Sequence, residues 1–336
     1  MEISYDIDSL NLVSGQVNIN GNRNEGLGKQ SSLLETGGTL AQQYRLLNTG
    51  EGHGNGRDLA LNYQRGFKAD KNRLLTFSYR YYGFENHQQN TIAISDRIQY
   101  ELPDYRQLNN QRSSEQTLQA DFVYPSRKLS VEAGVKAIFR KNESDFGYLN
   151  RVADSGEYIE ADSLSNHYLN TQTIYGIYNT YRYKHKSWDI RGGFRVEQTL
   201  LDANFISTDS RVSQNYFNVI PTVALGRKLG GGNLSLAYTQ RIQRPGIYQL
   251  NPFVDRTNPN FERTGNPDLR PAIANDINVS YGWAKKTSVN VVIGHVFIKN
   301  MIFPVLVYDP ETGISRSSYD NVGRARLLPT FSLNVN

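Results

Sequence analysis

Apolar and polar residues alternate with a period of two along most of this chain, and that pattern limits the fold more than any other feature. Leu75, Phe77, Tyr79 and Tyr81 fall on one face of an extended segment, with Thr76, Ser78 and Arg80 on the other. Leu118, Ala120, Phe122 and Tyr124 stand opposite Thr117, Gln119 and Asp121. Leu129, Val131, Ala133, Val135, Ala137 and Phe139 stand opposite Ser130, Glu132, Lys136 and Arg140. Trp188, Ile190, Phe194 and Val196 oppose Asp189, Arg191, Arg195 and Glu197. Leu234, Leu236 and Tyr238 repeat the pattern, as do Ile277, Val279, Tyr281 and Trp283. A period of two is the mark of a β-strand with one apolar and one polar face. The chain therefore reads as all-β, and no segment has a convincing helical period.

Two architectures present such strands. In a soluble sandwich the polar face is ordinary surface. In an antiparallel up-and-down transmembrane β-barrel the polar face lines the lumen and the apolar face meets lipid. Several segments run roughly 9 to 12 residues, enough for a tilted strand to cross a bilayer, where globular strands average about 5–6. Trp188, Tyr238, Trp283 and the Tyr79–Tyr82 cluster sit where an interfacial aromatic girdle would lie. Short connections at Gly66–Asn72, Pro125–Lys128, Lys184–Ser187, Gly230–Asn233 and Ala284–Thr287 alternate with long ones at Asn86–Ser114, Lys141–Asn166, Asp202–Ser213 and Arg241–Ala274. Barrels of the outer membrane keep this order, with short periplasmic turns and long extracellular loops. Gly21–Gly28 and Gly50–Gly56 read as loops whose side is open. Asp309-Pro310-Glu311-Thr312-Gly313 reads as a turn joining Val305–Tyr308 to the segment from Ile314 onward. The pattern predicts about 13 or 14 strands.

Composition agrees with a barrel and excludes other classes. The mean hydropathy of −0.57 and the lack of any run near 20 apolar residues exclude a helical membrane protein, but not a barrel. With 22 Tyr and 14 Phe, the chain suits strands that have an apolar body and a wet end. Its 336 residues include no cysteine, so there is neither a disulfide framework nor a thiolate metal site. The net charge of +5 comes from Lys and Arg scattered through strands and turns, a distribution unlike a nucleic-acid-binding patch. Met1–Asp6 has neither the basic start nor the apolar core of a secretory leader. The reading is therefore an incomplete barrel domain over residues 1–336.

Motifs for catalysis are missing: there is no G-x-S-x-G, H-E-x-x-H or Walker loop. Gly50-Glu51-Gly52-His53-Gly54-Asn55-Gly56 lacks the order of a phosphate cradle and reads as a flexible loop. His53, His87, His167, His185 and His295 are dispersed, with His295 on an apolar face. Asp154, Glu157, Glu160 and Asp162 make an acidic loop without calcium-ligand spacing. No cofactor and no metal is expected.

One stretch is distinctive. Tyr238–Pro271 reads YTQRIQRPGIYQLNPFVDRTNPNFERTGNPDLRP. It holds R-x-x-R-P at Arg241–Pro245, L-N-P-F at Leu250–Phe253 and G-N-P-x-L-x-P at Gly265–Pro271. Its prolines remove backbone donors, so this is a stiff loop and not a central strand. The three motifs in this order resemble the late barrel region of TonB-dependent outer-membrane receptors, in particular the outer-membrane β-barrel family common in Bacteroidetes. Asn321-Val322-Gly323-Arg324-Ala325 resembles a further strand motif of that family. The chain departs from the pattern at Ala272, where an acidic residue is expected, at Pro329, and at the non-aromatic Asn336.

The resemblance implies a part of a 22-stranded barrel whose plug is outside this chain. It implies a place in the bacterial outer membrane, contact with its lipid, and a nutrient ligand of unknown class. The TonB complex would be reached only through the plug. The loop Arg241–Ala274 is either a structural fold-back over the rim or a ligand-contact loop. In the second case Tyr248, Phe253, Arg256 and Phe261 are the candidates. The other reading of the chain is a soluble all-β adhesin or carbohydrate-binding module.

Overall fold

The computed structural model describes residues 1–258, 261–311 and 313–335. Its strands are β1 (Glu2–Asp6), β2 (Asn11–Thr36), β3 (Thr39–Phe67), β4 (Asp70–Ile98), β5 (Tyr105–Tyr124), β6 (Leu129–Arg151), β7 (Tyr158–Glu160), β8 (Asn166–His185), β9 (Trp188–Phe205), β10 (Ser210–Leu229), β11 (Gly232–Gln243), β12 (Asp255–Asn258), β13 (Phe261–Arg263), β14 (Ala272–Ala284), β15 (Ser288–Tyr308), β16 (Ser315–Arg326) and β17 (Thr330–Val335). One helical turn, α1 (Ile247–Leu250), lies between β11 and β12.

Almost every strand pairs antiparallel with the next, so the topology is up-and-down. The ladder runs β1–β2–β3–β4–β5–β6–β8–β9–β10–β11–β14–β15. On the far edge of β15, β16 pairs with its upper part and β17 with its lower part. Those two are one strand broken at 327–329, where Pro329 has no N–H to donate. The wall thus has thirteen successive positions, within the predicted range, and it stays open between β1 and the β16–β17 strand. Among the described residues no second sheet packs on it, which removes the sandwich.

Residues directly opposite one another share a face, so register fixes what each face carries. Leu61, Tyr79, Leu118, Ala137 and Tyr175 stand in one cross-strand row. Val223, Tyr238, Ile277 and His295 stand in another. Large apolar side chains on this face are solvent-exposed, among them Ile177 at 63%, Phe217 at 61% and Leu61 at 54%. They form a continuous belt within about a dozen residues of one end of the strands. At that end every connection is short: 68–69, 125–128, 186–187, 230–231 and 285–287. The opposite end carries 37–38, 99–104, 152–165, 206–209, 244–271 and 309–314. The expected alternation of short and long connections holds only in part: 152–165 and 244–271 are long, but 37–38, with Gly37 and Gly38 both at positive φ, and 206–209 are as short as the turns of the other end.

Three expectations need correction. The strands are 18–29 residues in β2–β6 and β8–β10, not 9–12. A 29-residue strand spans roughly 95 Å at about 3.3 Å per residue, far more than an apolar belt ~25 Å tall. Most of Asn86–Ser114, Lys141–Asn166 and Asp202–Ser213 is accordingly strand that rises past the belt. Gly21–Gly28 and Gly50–Gly56 are also strand, paired from Gly21↔Asn55 to Gly26↔Gly50. Gly50, Gly52, Gly54 and Gly56 alternate onto the polar face, and their missing side chains leave room for asparagines from both neighbours. A Cβ on Gly52 would lie 2.8 Å from Asn24 Oδ1, and one on Gly50 2.7 Å from Asn90 Oδ1. Above this stripe an apolar cluster of Tyr44, Ile92, Tyr105 and Tyr148 holds the extended wall together. Burial there pushes the Tyr100 hydroxyl up to about 12, with Tyr44 and Tyr105 adding to the effect.

The stripe predicts an asymmetry. Gly54→Val places a side chain 2.6 Å from Asn22 Oδ1 and 3.3 Å from the Glu85 carbonyl, whereas Gly26→Val meets nothing within 4 Å. The first should destabilise the upper wall by about 1–3 kcal/mol, the scale of overpacking, and the second should be neutral. Protease resistance of the upper strands reads the difference.

Candidate functional site

The strongest structural constraint on the proline-rich segment comes from β10. Its ladder to β11 ends at Thr222↔Thr239, beside Pro221, which supplies no backbone donor. Beyond that point β10 continues to Ser210 paired only with β9, and the loop 244–271 fills the space at its free edge. Gln214 Nε2 bridges to it, donating to the Pro267 and Leu269 carbonyls at 3.0 and 2.9 Å. A cavity of about 1000 Å³ remains between β10 and the loop, lined by Gln214, Asn218, Pro252, Asp268 and Arg270 among others.

Each motif residue has a mechanical task. Arg244, the second arginine of R-x-x-R-P, reaches the polar face of β9, where it pairs with Glu197 and donates to Thr199 Oγ1 at 3.1 Å. Glu197 and Thr199 are buried, and Arg195 holds the other Glu197 oxygen. Leu250 of L-N-P-F and Leu269 of G-N-P-x-L-x-P are buried with Leu201, Ala203, Phe205 and Val212. Asn251 Oδ1 accepts the Phe253 N–H at 3.0 Å. Gly265 N–H donates to the Asn251 carbonyl at 2.7 Å, and Asn266 N–H to that of Gln249 at 2.6 Å. A Cβ on Gly265 would stand 2.6 Å from both the Asn251 nitrogen and oxygen, so only glycine fits. Asn321 closes the knot: it accepts the Arg270 N–H at 2.7 Å and donates to the Arg270 and Asn300 carbonyls. Ala272 is itself buried beside this cluster, a place where an acidic residue would be desolvated.

Of the four residues expected to touch ligand, three have side chains among the described residues. Tyr248 is 64% exposed and packs edge-on against Tyr319 with ring centroids 5.9 Å apart. Phe261 is 52% exposed, at the start of β13. Phe253 is half-buried. The Arg256 side chain lies outside the described residues. Along the wall, the polar face carries further paired charges. Arg80 meets Asp58 at 2.7 and 2.8 Å. Arg140 meets Glu115 and donates to Gln172 at 2.9 Å. Arg182 pairs with Asp189. The Arg244–Glu197–Arg195 group could not be assembled from sequence. Arg244 was marked by its motif and Glu197 by its strand face, but their contact spans 47 residues.

Residues 65–336 match the model of the outer membrane protein beta-barrel family. That is well over half the chain, and the chain belongs to this family. A chain of this family has its place in the bacterial outer membrane, and an apolar belt opposite a polar face is the pattern that such a barrel needs. Among solved structures the chain is similar to the copper transporter OprC, with a TM-score of 0.59 at 11% identity, covering 97% of this chain and 56% of that one. It is similar to the alcaligin outer-membrane receptor FauA of Bordetella pertussis, with a TM-score of 0.55 at 11% identity over 99% and 48%. It is also similar to the ferric yersiniabactin uptake receptor FyuA of Yersinia pestis, with a TM-score of 0.54 at 12% identity over 99% and 55%. At these identities the likeness is one of fold. The chain spans about half the length of each of these proteins. No curated protein matches it by sequence.

Two substitutions separate the roles of the knot. Arg244→Ala leaves buried Glu197 with one cation in place of two and should cost roughly 2–4 kcal/mol. Gly265→Ala should release the loop at similar cost. Both should make 244–271 cleavable by protease while the barrel keeps its heat-modifiable mobility on gels.

Proposed function

We propose that this barrel wall belongs to a TonB-dependent receptor that takes up a nutrient ligand across the outer membrane. The observation that carries the reading is the loop 244–271, folded against the lumenal face of β9 and β10 and locked there by Arg244, Leu250 and Leu269. A loop held over the lumen on a rigid foot can present side chains to a ligand without being ordered anew at each binding event. Membership in the barrel family supports the reading, as does the likeness to solved structures of a copper transporter and of receptors for alcaligin and ferric yersiniabactin. Gated import in such a receptor needs a plug that the TonB complex can pull. The wall has no catalytic step to perform. Tyr248, Phe253, Arg256 and Phe261 are proposed as ligand contacts, because exposed aromatics and a guanidinium on a fixed loop suit recognition.

The test uses the full-length protein in cells lacking their own uptake receptors. Ferric siderophores, haem and copper, each radiolabelled, serve as probes. Uptake of one of them should appear with the protein and vanish with a proton uncoupler or on loss of TonB. Y248A/F253A/F261A should weaken binding of that probe by roughly tenfold or more, the scale of lost aromatic anchors, with surface abundance unchanged. Uptake that persists without TonB, or binding untouched by the triple variant, would count against the proposal.

A further inference from the structure

On the face that carries the apolar belt, just above it, three cations line one pocket with no counter-charge among the described residues. Cross-strand register puts Lys299 opposite Arg324 and Phe297 opposite Arg326. On the next strand, Ile273 lies opposite Lys299 and Asn275 opposite Phe297, and Gln240 follows beside Asn275. All are on the face that carries Ile277, Val279 and Ile293 one or two rows nearer the short turns. The side chains surround a pocket of about 480 Å³ whose lining includes Gln240, Asn275, Phe297, Lys299, Arg324 and Arg326, and no carboxylate. Among the described residues, Lys299, Arg324 and Arg326 make no ion pair and no side-chain hydrogen bond. Elsewhere on the wall Arg80, Arg140, Arg182, Arg195, Arg211 and Arg244 each pair with an acidic residue.

The pocket is also built, not a chance meeting of long side chains. Asn275 is only 6% exposed although it stands on the lipid side. Its Oδ1 accepts from Tyr238 Oη at 2.8 Å and from Gln240 Nε2 at 3.0 Å, which fixes all three side chains. His295 Nδ1 is buried there without a hydrogen-bond partner. The distance from Trp283 to Ile273 is ten residues, or about 33 Å along the strand, and near 25 Å in height once tilted. That is where the apolar band ends and lipid headgroups begin. The side is the one with long connections, which faces outward in such barrels.

We propose that this pocket binds the phosphorylated headgroup of an outer-leaflet lipid. Two guanidiniums can each grip a phosphate in bidentate fashion, and the ammonium of Lys299 adds a point charge. Their alkyl stems lie along the belt while the charged heads reach the interface. The acyl chains of the same lipid would run down over Ile277, Val279 and Ile293. A ligand of this kind supplies the negative charge that the described residues do not place there.

The experiment uses the full-length protein, purified in mild detergent from outer membranes, and counts retained phospholipid and glycolipid by native mass spectrometry. Re-addition uses lipid A, the same lipid with its phosphates removed, and inorganic phosphate. The wild type should retain and rebind lipid A, and should bind neither the dephosphorylated lipid nor inorganic phosphate with comparable affinity. K299Q/R324Q/R326Q should weaken rebinding by roughly tenfold or more, the scale of lost charge-assisted contacts. K228Q/K286Q, at the short turns, should leave it unchanged. Should the triple variant not assemble, R326Q alone carries the test and is expected to show an intermediate loss. Equal binding by variant and wild type, or equal binding of the dephosphorylated lipid, would overturn the proposal.

Discussion

Everything in this wall depends on cross-strand register. Because side chains alternate from face to face, a slip of one residue in any hairpin would turn its apolar set into the lumen and its charges into lipid. Register here is uninterrupted over long stretches, as from Asn11↔Arg65 to Leu34↔Gln42. The consequence is a belt of exposed Leu, Ile, Val, Phe and Tyr on one face and paired charges on the other. Lipid makes the first arrangement favourable, and ion pairing makes the second tolerable. The close-packed geometry of a soluble core is not needed, and among the described residues few large side chains are fully buried.

The loop 244–271 shows how the same wall is interrupted without being weakened. Pro221 ends the β10–β11 ladder early and leaves a free edge, which would be a site for unwanted strand pairing. The loop covers it with side-chain and carbonyl contacts in place of a ladder. Its prolines suit that role, because each removes one N–H that would need a partner and leaves less freedom to lose on ordering. Arg244 and Asn321 tie its two ends to different strands, so the loop also couples β9 to β15 and β16.

Much of this was legible in the sequence. The alternation from Leu129 to Phe139 gave a strand and its faces directly, and the short turns located one rim. Strand length was not legible, because above the belt the alternation loses its apolar half: Asn20, Asn22 and Asn24 face glycines across the ladder and read as loop. Glycine there is not flexibility but space for a neighbour's amide. The proline motifs marked the important loop as either a structural fold-back or a ligand-contact loop, and the structure gives the motif residues Arg244, Leu250, Gly265 and Asn266 to anchoring. The cation pocket was hidden because Lys299 and Arg324 are distant in sequence and meet only through the register of β15 and β16.

The central claim is that the exposed apolar face looks into lipid, and four adjacent positions test it. The chain has no cysteine, so single cysteines at Ile277, Asn278, Val279 and Ser280 can each carry one fluorophore in bilayer-reconstituted protein. Lipid-borne quencher should reach 277 and 279, and aqueous quencher 278 and 280. Equal aqueous quenching at all four positions would contradict a transmembrane wall.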